Sequence, residues 1–319
     1  MIARATVWRV SMAARSFVES WRGTRICGSL TIMRDTIPRV VAASVVTVVL
    51  VAVPAAAQSS ASAADKGTWN PPRTADGQPD IQGMWQTQGG GLTVSVEKDA
   101  VTLLDSDRVG YSDVGTGSFT RGRIGIVDPA DGKLPLQAWA AAKRQEIAAN
   151  YRDPRGNLAY MDPSARCIAA GVPRVNYNTP YNGYQFLQIP GYVVLFAEWN
   201  HETRIVPVDG RRHVSPAIHL WNGDSRGHWE GHTLIIDVMN FNGKAWFDWL
   251  TFHSDALHVV ERFTIVNKDT INYEATIEDP KVFTKPWKLA FSFKRADPGY
   301  RLFEYACHEG NHFMESAMK

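Results

Sequence analysis

The second half of the chain alternates apolar and polar residues with the period of two that is typical of β-strands. The clearest runs are 257–265, 270–278 and 287–295. Strands that are joined by short loops and are polar on one face form an antiparallel meander, which closes as a barrel or packs as a sandwich. We therefore predict a mainly β protein with a meander over 185–307 that closes as a barrel, the sandwich being the alternative. Further strands are predicted at 185–189, 192–198, 203–208, 233–240 and 301–307.

The first half of the chain has weaker periodicity, and we predict an irregular region over residues 81–165. One helix is predicted at 135–151, because Pro135 suits an early helical position and several apolar residues after it share one side. Residues 58–80 are rich in Ser, Ala, Gly and Pro and are predicted to be a flexible arm. The whole of 81–319 is predicted to be a single β-rich domain.

Residues 33–57 have the three parts of a secretory signal peptide. Arg34 and Arg39 supply the positive start, and 40–53 is a run of apolar or small residues. That run is shorter than the roughly 20 residues that a membrane-spanning helix needs. Small residues then lead to Ala57, and a polar stretch follows. We predict cleavage near Ala57 and a periplasmic or secreted mature protein.

The positive charge of the chain belongs to this leader. The full chain has 34 basic and 32 acidic residues, and residues 1–57 contain seven of the basic and two of the acidic ones, which leaves a mature net charge of −3. A charge this small gives no bulk attraction to nucleic acid or to an anionic membrane. After Val53 no apolar run is long enough for a membrane span. Five arginines lie in 1–32, upstream of a normal signal start, so we predict that translation begins at Met33 and that 1–32 is a mis-called extension.

Two cysteines, Cys167 and Cys307, remain after the leader is removed. An exported compartment permits disulfides, and two cysteines are the smallest set that can pair. A bridge between them would close a loop of about 140 residues, with an ideal entropic stabilisation of roughly 5 kcal/mol. We predict this disulfide, the alternative being two separate buried thiols.

Several motifs of the chain resemble those of a family of secreted bacterial proteins that has no settled activity. The resemblance covers about 70–315 and departs from the family at His312, where members often have Tyr. The Gly-x-Trp tripeptides that begin at Gly83 and Gly227 also resemble the lipocalin signature, which implies a lipocalin-like barrel. The family motifs are at 73–85, 167–174, 221–231, 253–262 (HSDALHVVER) and 304–311 (EYACHEGN).

The segment 253–261 contains the candidate acid–base residues. Alternation places Glu261 among apolar residues, where a carboxylate needs a partner or an upward shift of its pKa. His258 has the opposite parity and His253 lies at the entrance to the strand, so a catalytic set of His253, His258 and Glu261 requires a bend or a bulge. As a site residue, Glu261 should tolerate a change to Gln with little loss of stability. The alternative is that Glu261 pairs with a buried arginine such as Arg204 or Arg174 and holds the core.

Tryptophans and carboxylates recur in the loops of 221–252. Such loops suit carbohydrate or aromatic ligands, although tryptophan in β proteins also fills core and corner positions. Nucleophile elbows, phosphate loops and dinucleotide fingerprints are missing from the sequence. The predicted ligand-binding residues are His201, Trp221, Trp229 and Trp246.

Residues 308–312 match the zinc-peptidase string H-E-x-x-H. Gly310 and Asn311 are poor helix formers and no third ligand can follow, so we predict a polar strand end there and no metal site or cofactor. Two functions stay open. The first is an exported protein that binds a small organic ligand inside its barrel, and the second is a cofactor-independent hydrolase or lyase that acts on a sugar or an aromatic compound.

Overall fold

The computed structural model describes residues 69–87, 95–97, 125–151, 154, 157–177, 183–312 and 314. The predicted signal peptide and the residues before it lie outside these ranges. Among the described residues, no helix has the length and apolar character needed to cross a membrane. The strands are β1 (Gly83–Thr87), β2 (Gly125–Asp128), β3 (Gly183–Ile189), β4 (Tyr192–Ala197), β5 (Thr203–Pro207), β6 (Asp224–Glu230), β7 (Thr233–Met239), β8 (His258–Asn267), β9 (Thr270–Glu278) and β10 (Trp287–Arg295).

These strands form one antiparallel sheet that is nearly closed into a barrel, which confirms the predicted fold class. The strand order is β5-β4-β3-β1-β10-β9-β8-β7-β6, with β2 also paired to β10. The predicted meander therefore consists of two runs, β3 to β5 and β6 to β10. Strand β1, from the irregular first half, joins the two runs by pairing with both β3 and β10.

The strongest alternation in the sequence gives the longest ladders. Strands β9 and β10 have the bounds predicted from the pattern, and β8 alternates half-buried and buried residues along most of its length. The buried face is aromatic, with Phe263, Tyr273 and Phe293 in mutual ring contact. Strand β6 was not predicted, because its sequence DSRGHWE is polar and resembles a loop.

Helix α1 (Ala138–Asn150) begins three residues later than predicted. The reason is that Leu136 forms a β-bridge with Phe283, and the amide of Gln137 donates to the carbonyl of Val282. This contact holds the chain extended up to the first turn. The buried residues of the helix are Ala140, Arg144 and Ile147.

The C-terminal segment is not the strand predicted at 301–307. Residues 301–306 have no regular structure, and Phe303 is 71 % exposed. The predicted disulfide between Cys167 and Cys307 is present and ties this segment to the turn at Pro163–Arg166. In the H-E-x-x-H string, residues 308–310 form an exposed turn and Asn311 is half-buried, so the two histidines are not on one continuous helix and the predicted strand end is not observed.

Residues 69–80 of the predicted arm are folded. Arg73 and Pro79 form a β-bridge around a turn, and Trp69 packs against the core. Residues 58–68 lie outside the described ranges. That 58–80 as a whole is a flexible arm stays a prediction.

The barrel has a seam where its two end strands meet. The described residues show no backbone pairing between β5 and β6. Side chains close the seam instead: Arg204 of β5 donates to the hydroxyl of Ser225 over 3.1 Å. Val206 and Val208 lie so close to Gly227 of β6 that a Cβ there would be 2.9 Å from each.

Candidate functional site

Glu261 is fully buried on the inner face of β8, as the alternation predicted. Its carboxylate accepts from both Arg204 Nη atoms, over 2.5 and 3.2 Å, from Asn176 Nδ2 over 2.6 Å and from the Tyr273 hydroxyl over 2.8 Å. Burial raises the pKa of Tyr273 well above its ordinary value, so the hydroxyl keeps its proton and donates it. Four donors on one carboxylate make Glu261 the centre of a structural ion pair.

Of the two arginines that the sequence offered as partners, Arg204 is the one observed. Arg174 instead pairs with Asp162, in a buried two-pronged contact of 2.8 and 2.6 Å. Its guanidinium also lies over the ring of Trp199 at 5.5 Å. The two buried ion pairs, Arg204–Glu261 and Arg174–Asp162, are therefore separate.

His253 is buried in the loop before β8, where it is 3 % exposed. Its ring packs against Phe241 and Phe247, with centroids 5.5 and 5.4 Å away. Nδ1 lies 2.9 Å from the carbonyl oxygen of Ser254, so this nitrogen carries the proton. Burial lowers the pKa of His253, which keeps the ring neutral. The other nitrogen, Nε2, is then a lone pair, and it has no hydrogen-bond partner among the described residues.

Two more buried polar groups without a partner belong to residues that contact the same phenylalanine. The Trp287 ring meets Phe247 edge-on at 5.4 Å, and its Nε1–H donates to nothing in the described part of the chain. The amide of Phe247 donates to the carbonyl of Thr251, whose own hydroxyl is also unpaired. We call His253, Thr251 and Trp287, with the rings of Phe241, Phe247 and Phe283, the His253 site.

A tight turn places Phe247 and Thr251 side by side. Trp246 and Phe252 form an isolated β-bridge, and Asp248 accepts from the amides of Leu250 and Thr251 over 2.9 and 2.7 Å. Asp248 is fully buried and also accepts from the amide of Val96. Its carboxylate thus accepts hydrogen bonds from three backbone amides, which hold the turn in this conformation. Sequence reasoning did not identify Thr251 or Trp287 as candidate site residues, because their unpaired state depends on the residues that surround them in the fold.

His258 lies on the outer face of β8, opposite to Glu261. Its Nε2 contacts Asp237 of β7, and this hydrogen bond raises the pKa of His258 and lowers that of Asp237. His213, which sequence reasoning missed, contacts the same carboxylate over 3.4 Å and Asp224 over 2.9 Å. We call His213, Asp224, Asp237 and His258 the outer His–Asp cluster.

The predicted acid–base set is distributed over three places. Glu261 faces inward, His258 faces outward, and His253 is in the preceding loop. Among the described hydrogen bonds and ion pairs, none joins one of the three to another. Strand β8 has a register shift between Ile265 and Asn267, but this lies beyond Glu261 and does not bring the three residues together.

The predicted ligand-binding residues are also separated. His201 accepts from the amide of Tyr305 over 2.6 Å and so anchors the C-terminal segment. Trp229 is half-buried against the core, and its Nε1 has no partner among the described residues. Trp246 belongs to a small cluster with Ile147, while Trp221 is half-buried outside both clusters.

Comparison with protein-family models gives no match to this chain. Comparisons with curated proteins and with solved structures likewise give none. The resemblance to a family of secreted proteins therefore stays a prediction. Function has to be argued from the chemistry of the site, since a barrel fold hosts many activities.

Proposed function

We propose that the protein is an exported β-barrel protein that binds a small organic ligand at the His253 site. The observation that carries this proposal is the group of three buried, unpaired polar atoms: His253 Nε2, Trp287 Nε1 and Thr251 Oγ1. These residues are 3 %, 0 % and 1 % exposed. Buried polar atoms in native proteins almost always have a partner, and these three belong to residues that contact Phe247, so they support a bound group beside it.

The surroundings fit a ligand. Binding sites for small molecules are mainly apolar and aromatic, with a few polar groups that fix orientation. Phe241, Phe247 and Phe283 supply the aromatic walls. Leaving a buried donor or acceptor unpaired costs about 1–3 kcal/mol. A ligand that pairs these atoms regains that free energy on binding.

The Glu261 network supports the fold instead. Its carboxylate is saturated by Arg204, Asn176 and Tyr273. A ligand there would have to displace one of these partners and leave a buried charge unpaired, which is costly.

Export is supported by the signal-peptide pattern of 33–57 and by the disulfide. Disulfides persist in oxidising compartments such as the periplasm and are rare in the cytosol. The Cys167–Cys307 bridge is therefore consistent with a protein that works outside the cytosol.

A second function, that of a cofactor-independent hydrolase or lyase, is favoured by one feature of the same site. His253 is held as a neutral imidazole with a bare Nε2, which is the state that a general base needs. The substrate would be a sugar or an aromatic compound with a proton to give up. Product formation on incubation, rather than reversible binding, distinguishes this function from the first.

The test is a thermal-shift screen of the purified protein against small organic compounds. We expect some compounds to raise the Tm of the wild type and of His228→Phe, which changes an exposed histidine of β6. The same compounds should leave the Tm of His253→Phe unchanged. Equal stabilisation of all three proteins would show that the ligand binds elsewhere and would refute the site.

A further inference from the structure

We propose that the outer His–Asp cluster is a pH-sensitive clamp, which holds the loop 208–223 against the outer face of the barrel in mild acid and loosens it as the pH rises. This loop leads from β5 to β6, the two strands that meet at the seam. Among the described residues, side chains rather than a backbone ladder close the seam. The fastening of the loop therefore adds to the contacts that keep β5 next to β6.

Acidic and histidine side chains alternate along this cluster. On the loop, His213 Nδ1 lies 2.9 Å from Asp224 Oδ2, and His213 Nε2 lies 3.4 Å from Asp237 Oδ2. The other oxygen of Asp237 contacts His258 Nε2, and His258 Nδ1 lies 3.9 Å from Glu278 Oε2. Each imidazole is thus placed between two carboxylates. The row of five groups runs from the loop across β6, β7, β8 and β9.

The protons on the two rings decide how many of these contacts attract. A neutral imidazole has one N–H and one lone pair, whereas an imidazolium donates from both nitrogens. A neutral His213 would turn its lone pair toward one of its two carboxylates, and a protonated His213 would donate to both. The same holds for His258, which lies between Asp237 and Glu278. The contacts of the cluster are therefore most favourable when both histidines are protonated.

The fixed charges around the two rings favour the same state. Asp224, Asp237 and Glu278 supply three negative charges, and Arg226 supplies one positive charge through its 2.7 Å ion pair with Asp224. These groups carry a net charge of −2 while both imidazoles are neutral and of zero once both are protonated. Arg212, on the loop, forms no ion pair with any described residue. Other charged residues of these elements pair with each other: Asp209 with Arg211, Glu230 with Arg262, and Glu274 with Lys288.

The ordinary pKa values of the groups set the pH range of the clamp. Free carboxyls lose their proton near about pH 4 and free imidazoles near about pH 6.5. The hydrogen bond between His258 and Asp237 raises the pKa of the ring and lowers that of the carboxyl. Stabilisation from a raised histidine pKa is fully present below the ordinary value and is lost as pH rises through the raised one. The clamp should therefore be firm at about pH 5–6 and weaken above neutral pH.

Other contacts of the loop do not depend on the histidines. Arg226 Nε donates to the carbonyl of Arg212 over 2.8 Å. Asn240 Nδ2 donates to the carbonyls of Val214 and Ser215 over 3.1 and 3.2 Å. These hydrogen bonds remain when both imidazoles are neutral. A rise in pH should thus loosen the loop by degrees rather than release it.

The test is hydrogen–deuterium exchange of the purified protein, followed by mass spectrometry, at about pH 5.5 and about pH 8, on either side of the imidazole pKa. Labelling times are scaled for the intrinsic pH dependence of amide exchange. We expect the loop peptide 209–218 to be about two- to fivefold more protected at the lower pH, which is the contribution of one partly exposed ion pair. High salt should reduce this difference, because it screens such pairs. A peptide from β9 is the internal reference.

Variants assign the pH dependence to the two rings. His213→Gln and His258→Gln each replace a titrating ring with a neutral polar side chain, so each should reduce the difference between the two pH values. The double variant should abolish it. The matched control is His228→Gln, since His228 is an exposed histidine of β6 whose partner is Glu230. This control should keep the difference of the wild type, and circular dichroism verifies that each variant is folded.

Two results would overturn the clamp. One is equal protection of the loop at the two pH values in the wild type. The other is a difference that persists in the double variant, because a group outside the cluster would then control the loop. If the histidine variants do not fold, Asp237→Asn takes their place, since it removes the charge that both histidines share. An undiminished difference in Asp237→Asn would refute the clamp as well.

Discussion

At the scale of single residues, the barrel interior depends on Glu261. It is fully buried on β8 and joins Arg204 of β5 to Asn176 and Tyr273. Replacing a whole buried ion pair by apolar residues is often neutral, but removing one partner leaves the other charge unpaired. Changing Glu261 alone should therefore lower the stability by more than the intact Glu261–Arg204 pair contributes to it.

We predict that Glu261→Gln lowers the free energy of unfolding by about 3–5 kcal/mol, because the Arg204 charge loses its partner in the core. This reverses the expectation from sequence, which was that stability would hardly change. The measurement is urea denaturation of wild type and variant. Glu274→Gln is the control: its ion pair with Lys288 is on the outer face of β9, and such pairs contribute at most about 1 kcal/mol. Equal losses in the two variants would contradict a special role for Glu261.

The outer His–Asp cluster leads to a prediction about the titration of His258. The hydrogen bond to Asp237 raises the pKa of His258 in the folded state. The stabilisation linked to this shift is present at low pH and is lost as pH rises through the raised pKa. In Asp237→Asn the pKa of His258 should fall toward its ordinary value. Proton NMR of the imidazole ring measures it, with Asp209→Asn as a control because Asp209 pairs with Arg211 instead. An unchanged His258 titration in Asp237→Asn would refute the pairing.

At the scale of elements, the seam between β5 and β6 is the part of the barrel that no backbone ladder holds. Its closure needs the Arg204–Ser225 hydrogen bond and close packing at Gly227. The sequence of neither strand predicts this contact, because β5 ends one meander and β6 begins the other. The pairing of β1 with both β3 and β10 joins the two meanders and so brings β5 next to β6.

Gly227→Ala should destabilise the protein by about 1–3 kcal/mol, since the new methyl would lie 2.9 Å from both Val206 and Val208. β-Branched side chains have little freedom to move away. Gly125→Ala in β2 is the matched control, because a Cβ there meets no atom within 4 Å. The midpoints of urea unfolding give the comparison. A loss no greater for Gly227→Ala than for Gly125→Ala would show that the seam is loosely packed.

At the scale of the whole molecule, the disulfide joins parts of the chain that are 140 residues apart. It fastens the irregular C-terminal segment, which also contacts Glu198 through the Tyr300 hydroxyl and His201 through the amide of Tyr305. A segment that contains no regular strand or helix is held against the rest of the protein by such contacts.

We predict that Cys307→Ser lowers the free energy of unfolding by about 2–4 kcal/mol, because the unfolded chain loses its largest constraint. Cys167→Ser and the double variant should lose the same amount. Thiol titration of the unreduced, denatured protein after leader removal should find none. Two titratable thiols per chain, or a double variant much less stable than either single one, would contradict the bridge.

The sequence by itself determined the antiparallel β class, the bounds of β9 and β10 and the inward side of Glu261, and it favoured the pairing of Cys167 with Cys307 over two separate thiols. The strand features follow from the alternation of apolar and polar residues over a few positions. The cysteine pairing follows because only two cysteines come after residue 57. Only the tertiary structure decided the strand order, the choice of Arg204 over Arg174, the separation of His253, His258 and Glu261, and the contacts of His253, Thr251 and Trp287 with Phe247. The reason is that these depend on contacts between distant segments, and the alternation of a strand fixes which face a residue occupies without fixing what it meets there.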